Sequence, residues 1–108
     1  MKRGDVVLVV LSGDLGKPRP AVVVQANELG ERTTIIVCPM SSEVAASTLL
    51  RPVLEPSAEN GLHVPSQVMI DKVSTIRRSR VRRVLGQIAP DAQRRIDEAL
   101  LVVLGLAR

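Results

Sequence analysis

The sequence predicts a mainly β fold with α, a compact β-barrel followed by a C-terminal helix, and three observations predict it. Short runs rich in Val, Ile and Leu recur up to Ile88, between turns marked by Gly, Pro, Asn and Ser. Their spacing leaves no room for the crossover helices of βαβ units, and helical periodicity is confined to the segment after Pro90. The 108 residues suit one domain, expected to span 1–108 and large enough to bury a core.

Val6 to Leu11 is a continuous apolar run between Gly4-Asp5 and Ser12-Gly13-Asp14, the pattern of a buried strand that ends in a turn. Pro20 to Gln25 forms a second strand, with proline in the first position, where a missing ladder donor is tolerated. Asn27 to Arg32 reads as a turn, and Thr33 to Cys38 as a third strand that Pro39 ends. Ser41 to Thr48 is small and polar, a loop. Leu49 to Glu55 gives a fourth strand, demoted to an edge or bulge by Pro52. After the turn Pro56 to Gly61, Gln67 to Ile76 reads as a fifth strand, Arg77 to Arg83 as a basic segment, and Val84 to Ile88 as a short sixth strand.

The last segment has a different period. Pro90 suits a first helical turn, Asp91 favours the positive end of the helix dipole, and Ala92, Ile96, Ala99, Leu100 and Val103 recur at helical spacing before Gly105. Leu101, Val102 and Leu104 widen the apolar stripe beyond one covered face, so part of this helix is expected to pack on another subunit.

Hydrophobic residues make up 45% of the chain and none is aromatic, so the core must be built by aliphatic side chains through many small contacts. The net charge of +4 suits a nucleic acid or an acidic protein as partner. A single cysteine, Cys38, excludes an internal disulfide, and beside Ile35-Ile36-Val37 it reads as a buried structural thiol. No apolar stretch reaches the roughly 20 residues of a membrane span. Together with the acidic residue in Met1 to Asp5, this predicts a cytoplasmic protein with no membrane partner.

One histidine and one cysteine give no zinc constellation, so no metal site is predicted. Gly13 and Gly16 lack the spacing and the Lys-Ser/Thr ending of a phosphate loop, and no cofactor is expected. His63, alone after a turn, reads as structural. Arg19 lies between two prolines that restrict its backbone. It is either an exposed strand-edge charge or an aimed guanidinium able to grip phosphate oxygens. Ser41 and Ser42 either cap the next segment or bind a substrate oxygen. Arg77, Arg78, Arg80, Arg82 and Arg83 form either a solvated face or a salt-sensitive phosphate contact, without aromatic platforms for base stacking.

Taken in order, "RGDVVLV" at Arg3 to Val9, "GKPRPAVVVQ" at Gly16 to Gln25, "TTIIVCPMSS" at Thr33 to Ser42 and "PSQVMIDKVSTI" at Pro65 to Ile76 resemble the MazF/PemK-like toxin family. The resemblance covers nearly the whole chain. It implies an SH3-like barrel, a homodimer, metal-independent cleavage of single-stranded RNA, including mRNA, at short sequences, and neutralisation by a cognate antitoxin protein. The family's arginine falls on Arg19 and its hydroxyl residue on Ser41, implying catalytic roles, and Lys17, Ser42, Arg77, Arg78 and Arg80 are the expected RNA-binding residues.

The first loop, Ser12 to Lys17, lacks the acidic element several relatives carry before the arginine; Asp14 is its nearest carboxylate. Serine at position 41, where many relatives have threonine, keeps the hydroxyl without the stiff β-branch. Two other readings stand beside the nuclease: a CcdB-like toxin that shares the barrel but binds DNA gyrase, and a degenerate member that retains only antitoxin binding.

Overall fold

Antiparallel pairing organises the computed structural model, which describes residues 1–11, 16–46 and 49–107. Among them the strands are β1 (Asp5–Val10), β2 (Pro18–Val23), β3 (Thr34–Ser41), β4 (Val53–Leu54), β5 (Ser66–Val68), β6 (Ser74–Arg77) and β7 (Val81–Gln87), followed by the helix α1 (Pro90–Val103). They run β4-β5-β3-β2-β1-β7, with β6 also paired to β3, and the sheet curls into a half-barrel carrying the helix. The expected barrel-plus-helix architecture is the one the chain forms.

Alternation along the strands divides the core in two. Val7, Val9, Ala21, Val23, Ile35 and Val37 fill one face, joined by Leu11, Ile76 and Val81. Val6, Val22, Cys38, Met40, Val68 and Ile70 fill the other, where Ala92, Ile96 and Ala99 of α1 cover them. The helix thus buries the face that its spacing predicts, while Leu101, Val102 and Leu104 remain exposed. Its approach is fixed at the other end by Arg3, whose guanidinium donates to Asp97 Oδ1 at 2.8 Å, an oxygen that also accepts from the Gln93 side-chain amide at 2.9 Å.

Several boundaries differ from the sequence reading, each for a local reason. β2 begins at Pro18, so Arg19 lies inside the strand. Both prolines occupy the part of β2 that pairs with β1 alone, where a missing N–H costs least. Pro39 does not end β3. It falls where β3 changes neighbours, after the β6 ladder closes at Val37 and before the β5 ladder opens at Met40, and its carbonyl still accepts from the Met69 N–H at 2.9 Å.

The expected fourth strand shrinks to Val53–Leu54, at the edge of the sheet. The expected fifth is broken into β5 and β6 by a 3₁₀ turn over Ile70–Lys72. Val68, Met69 and Ile70 are buried in succession and Asp71 and Lys72 are both exposed, a pattern that no two-residue alternation satisfies. The turn lets Ile70 reach the α1 face. Part of the basic segment is likewise a 3₁₀ turn, Arg78–Arg80, and the expected sixth strand starts earlier, at Val81.

Cys38 is fully buried, and burial pushes its thiol up to about 12, so it is a packing residue with no thiolate to offer near neutral pH. Asp14 lies outside the described residues.

Candidate active site

The register of β2 on β3 pairs Ala21 with Pro39, Val22 with Cys38 and Val23 with Val37. Arg19 and Ser41 lie just beyond that ladder, where Arg19 pairs with Val9 of β1 and Ser41 with Gln67 of β5. Both share the strand parity of Val23 and Val37, so both side chains leave the sheet on one face. Each β-strand therefore delivers one polar group to the same end of the pair, and the prolines around Arg19 hold its backbone extended.

Arg19 and Ser41 line one open cleft of about 460 Å³ together with Lys17 and Ser42. Lys72 brings a third cation, Glu43 a carboxylate, and Met40, Met69 and Val64 an apolar floor. Three cations against one carboxylate make the cleft suited to a polyanion.

The Ser41 hydroxyl accepts from the Glu43 N–H at 3.1 Å, so the capping role open to it in the sequence is realised. Its own donation to the Glu43 carbonyl spans 3.5 Å, too long to hold the proton firmly. A serine hydroxyl has one donor and two lone pairs. The cap therefore orients Ser41 and leaves its proton available to a ligand oxygen.

Arg77, Arg78 and Arg80 are placed elsewhere. Arg77 pairs with Thr34, seven residues from Ser41 along β3, about 23 Å for a straight strand. Arg77 and Arg78 border a separate open hollow with Thr33, Thr34 and Ser79. Arg78 is engaged there, donating to the Arg32 carbonyl at 2.7 Å and lying 3.4 Å from Glu31. Arg80 borders a third recess with Leu11, Thr75 and Ile76. Among the described residues, no three or more His, Cys, Asp or Glu side chains gather as a metal cluster, and no helix is long and apolar enough to cross a membrane. His63 is exposed.

Sequence reasoning missed Glu43, Ser66, Met69 and Lys72 as cleft residues. Glu43 lay in a segment read only as a loop, Ser66 just before the expected fifth strand, and Met69 and Lys72 within it. The adjacent charges Asp71-Lys72, interrupting an apolar run, were the available signal for the turn that turns Lys72 to the cleft.

The sequence profile of the family described as PemK-like, MazF-like toxin of type II toxin-antitoxin system matches residues 2–104. A protein of Mycolicibacterium smegmatis, named as a probable endoribonuclease MazF, is 37% identical over 108 residues, covering 99% of each chain. A solved structure of an endoribonuclease in complex with its cognate antitoxin from a mycobacterial species matches with a TM-score of 0.82 at 20% identity, over 100% of this chain and 98% of that one. The Mycobacterium tuberculosis toxin MazF-mt6 matches with a TM-score of 0.81 at 22% identity, over 96% of this chain and 99% of that one. The structural likenesses establish the shared fold, and the profile together with the full-length relative establishes descent: this chain belongs to the PemK-like, MazF-like toxins of type II toxin-antitoxin systems.

Proposed function

We propose that the chain is the toxin of a type II toxin-antitoxin pair and an endoribonuclease that cuts single-stranded RNA, mRNA included, in the cleft between Arg19 and Ser41. The observation that carries the reading is the convergence of these two residues, from neighbouring strands, on one cation-rich cleft. The full-length relative named as an endoribonuclease supports RNA cleavage over gyrase binding.

In this reading the RNA 2′-hydroxyl attacks the adjacent phosphorus, the P–O5′ bond breaks, and the fragments carry a 2′,3′-cyclic phosphate and a 5′-hydroxyl. Arg19 stabilises the negative charge that builds on the phosphoryl oxygens. Arginine as a residue type is a poor proton carrier, so the role assigned to Arg19 is electrostatic, and proton transfer is assigned to other groups. Ser41 donates to a phosphate oxygen, and Lys17 and Ser42 hold the flanking backbone. Arg77, Arg78 and Arg80 bind RNA away from the cut, as salt-sensitive contacts.

The active species is a cytoplasmic homodimer, with the exposed end of α1 contributing to subunit contact, and a cognate antitoxin covers the cationic cleft. The reaction requires no metal ion. Purified protein and its Arg19→Ala form, incubated with a long unstructured RNA in EDTA and mapped by primer extension, test the proposal. Discrete cuts are expected with the unaltered protein alone. Intact RNA with both, across diverse sequences, overturns it.

A further inference from the structure

We infer that Gln67 is a positioning residue for the proposed reaction, pinning both ends of the segment after Ser41 so that Ser42 and Glu43 form a fixed wall of the cleft. The inference rests on the proposed RNA-cleavage reading.

Gln67 is 1% exposed, an unusual place for an amide that takes part in no helix or turn. On the backbone it lies between two strands, opposite Ser41 of β3 on one side and Val53 of β4 on the other. Its side chain bridges what those strands lead into. The Oε1 accepts from the Ala45 N–H at 3.2 Å, and the Nε2 donates to the Arg51 carbonyl at 2.9 Å.

The chain leaving β3 is thereby held four residues after Ser41, and again just before β4, by one buried group. The Arg51 side chain then continues outward, donating from Nε and Nη2 to the two oxygens of Asp71 at 3.0 and 2.9 Å. Asp71 precedes Lys72, another residue of the cleft lining. Polar contacts thus connect Ala45, Gln67, Arg51 and Asp71, and Gln67 is their buried member.

The physical consequence is on RNA placement. With leucine at position 67 the packing volume is kept, but the Ala45 N–H and the Arg51 carbonyl lose their partner, and the wall is no longer tied to β5. Gln67→Glu, held neutral by burial, keeps an acceptor for Ala45 and offers its O–H to the Arg51 carbonyl, so both ends stay tied.

The test measures amide exchange at Ala45 by NMR alongside kcat and KM for a short RNA containing the mapped cleavage site. For Gln67→Leu, Ala45 exchange is expected to rise about tenfold, the equivalent of one net hydrogen bond, and KM to rise about tenfold while kcat moves less than about threefold. Gln67→Glu should keep Ala45 protected and KM within about threefold of native, rescue by a side chain that restores both hydrogen bonds. Unchanged KM in Gln67→Leu overturns the inference, as does unchanged Ala45 exchange in that variant. If Gln67→Leu fails to fold, Gln67→Met, which also keeps the volume and lacks both hydrogen bonds, decides by the same two readouts: native KM or native Ala45 exchange overturns the inference. If the unaltered protein cuts no RNA, the proposed function fails, while Ala45 exchange still decides whether Gln67 holds the wall.

Discussion

The Arg51 guanidinium, just before the edge strand β4, grips both carboxylate oxygens of Asp71 in the 3₁₀ turn, at 3.0 and 2.9 Å and 20 positions away in sequence. That fork is the strong geometry for a carboxylate. The hydrogen bonds from Arg51 hold the Asp71 carboxyl below its ordinary 3.8, the direction expected of a paired carboxylate.

A depressed folded-state value means that the pair's contribution to stability is present above the unfolded pKa and is lost as pH falls through the folded one. Both partners are well exposed, so the contribution is small and salt-screened. Asp71→Asn is expected to melt slightly below the native protein near neutral pH and together with it once the native carboxyl is protonated. Thermal melts over descending pH check this, and a gap that widens in acid refutes it.

Ser41 carries two separable roles. Ser41→Ala removes the acceptor for the Glu43 N–H and the donor to phosphate, so amide exchange at Glu43 should accelerate and cleavage should fall at least about tenfold. Ser41→Thr keeps the hydroxyl with a stiffer χ1 and should retain activity within a few-fold. Equal activity in the alanine variant would remove the hydroxyl from the mechanism.

Cys38 is expected to be inert. With its thiol pushed up to about 12 and no exposed surface, the native protein should not react with a thiol reagent near pH 8, whereas the denatured chain should react fully. Cys38→Ser exchanges a buried apolar sulfur for a more polar hydroxyl and should cost about 1–3 kcal/mol in denaturant titration. Rapid labelling of folded protein would contradict the packing role.

Gly86 is required by a close approach. A Cβ there would run into the Glu59 carbonyl and the Asn60 backbone, against which β7 is also held by the Gln87 N–H donating to Glu59 O at 2.8 Å. Gly86→Ala should cost about 1–3 kcal/mol through forced separation of turn and strand. Gly30, at φ 66° and ψ −160° with open space around it, provides the contrast: Gly30→Ala should cost about 1–3 kcal/mol from backbone conformation alone and leave Gln87 amide protection unchanged. Loss of Gln87 protection only in Gly86→Ala separates the two causes.

Local pattern determined a great deal here. The helix from Pro90 is legible because its start signal, its Ala92-Ile96-Ala99 stripe and its glycine stop are all set by neighbours within a few turns. β1 and β2 are legible because their apolar runs are uninterrupted, and the ordered motifs around Arg19 and Ser41 mark a family without any knowledge of distance. Pro39 and the Met69–Val73 region misled for one reason: whether a proline breaks a strand, or an apolar run turns, depends on which strand lies alongside.

Tertiary structure alone decided what lies across from what. Register brings Arg19 and Ser41, 22 positions apart by number, to one end of a strand pair, and the same register carries Arg77 and Arg78 to the far end of β3. Glu43 and Lys72 reach the cleft, and Gln67 becomes a buried clasp, only because a curled antiparallel sheet makes neighbours of distant segments. Sequence fixes which groups a strand presents on each face, since side chains alternate locally. Which of them meet is set by pairing and curvature, which are properties of the whole sheet.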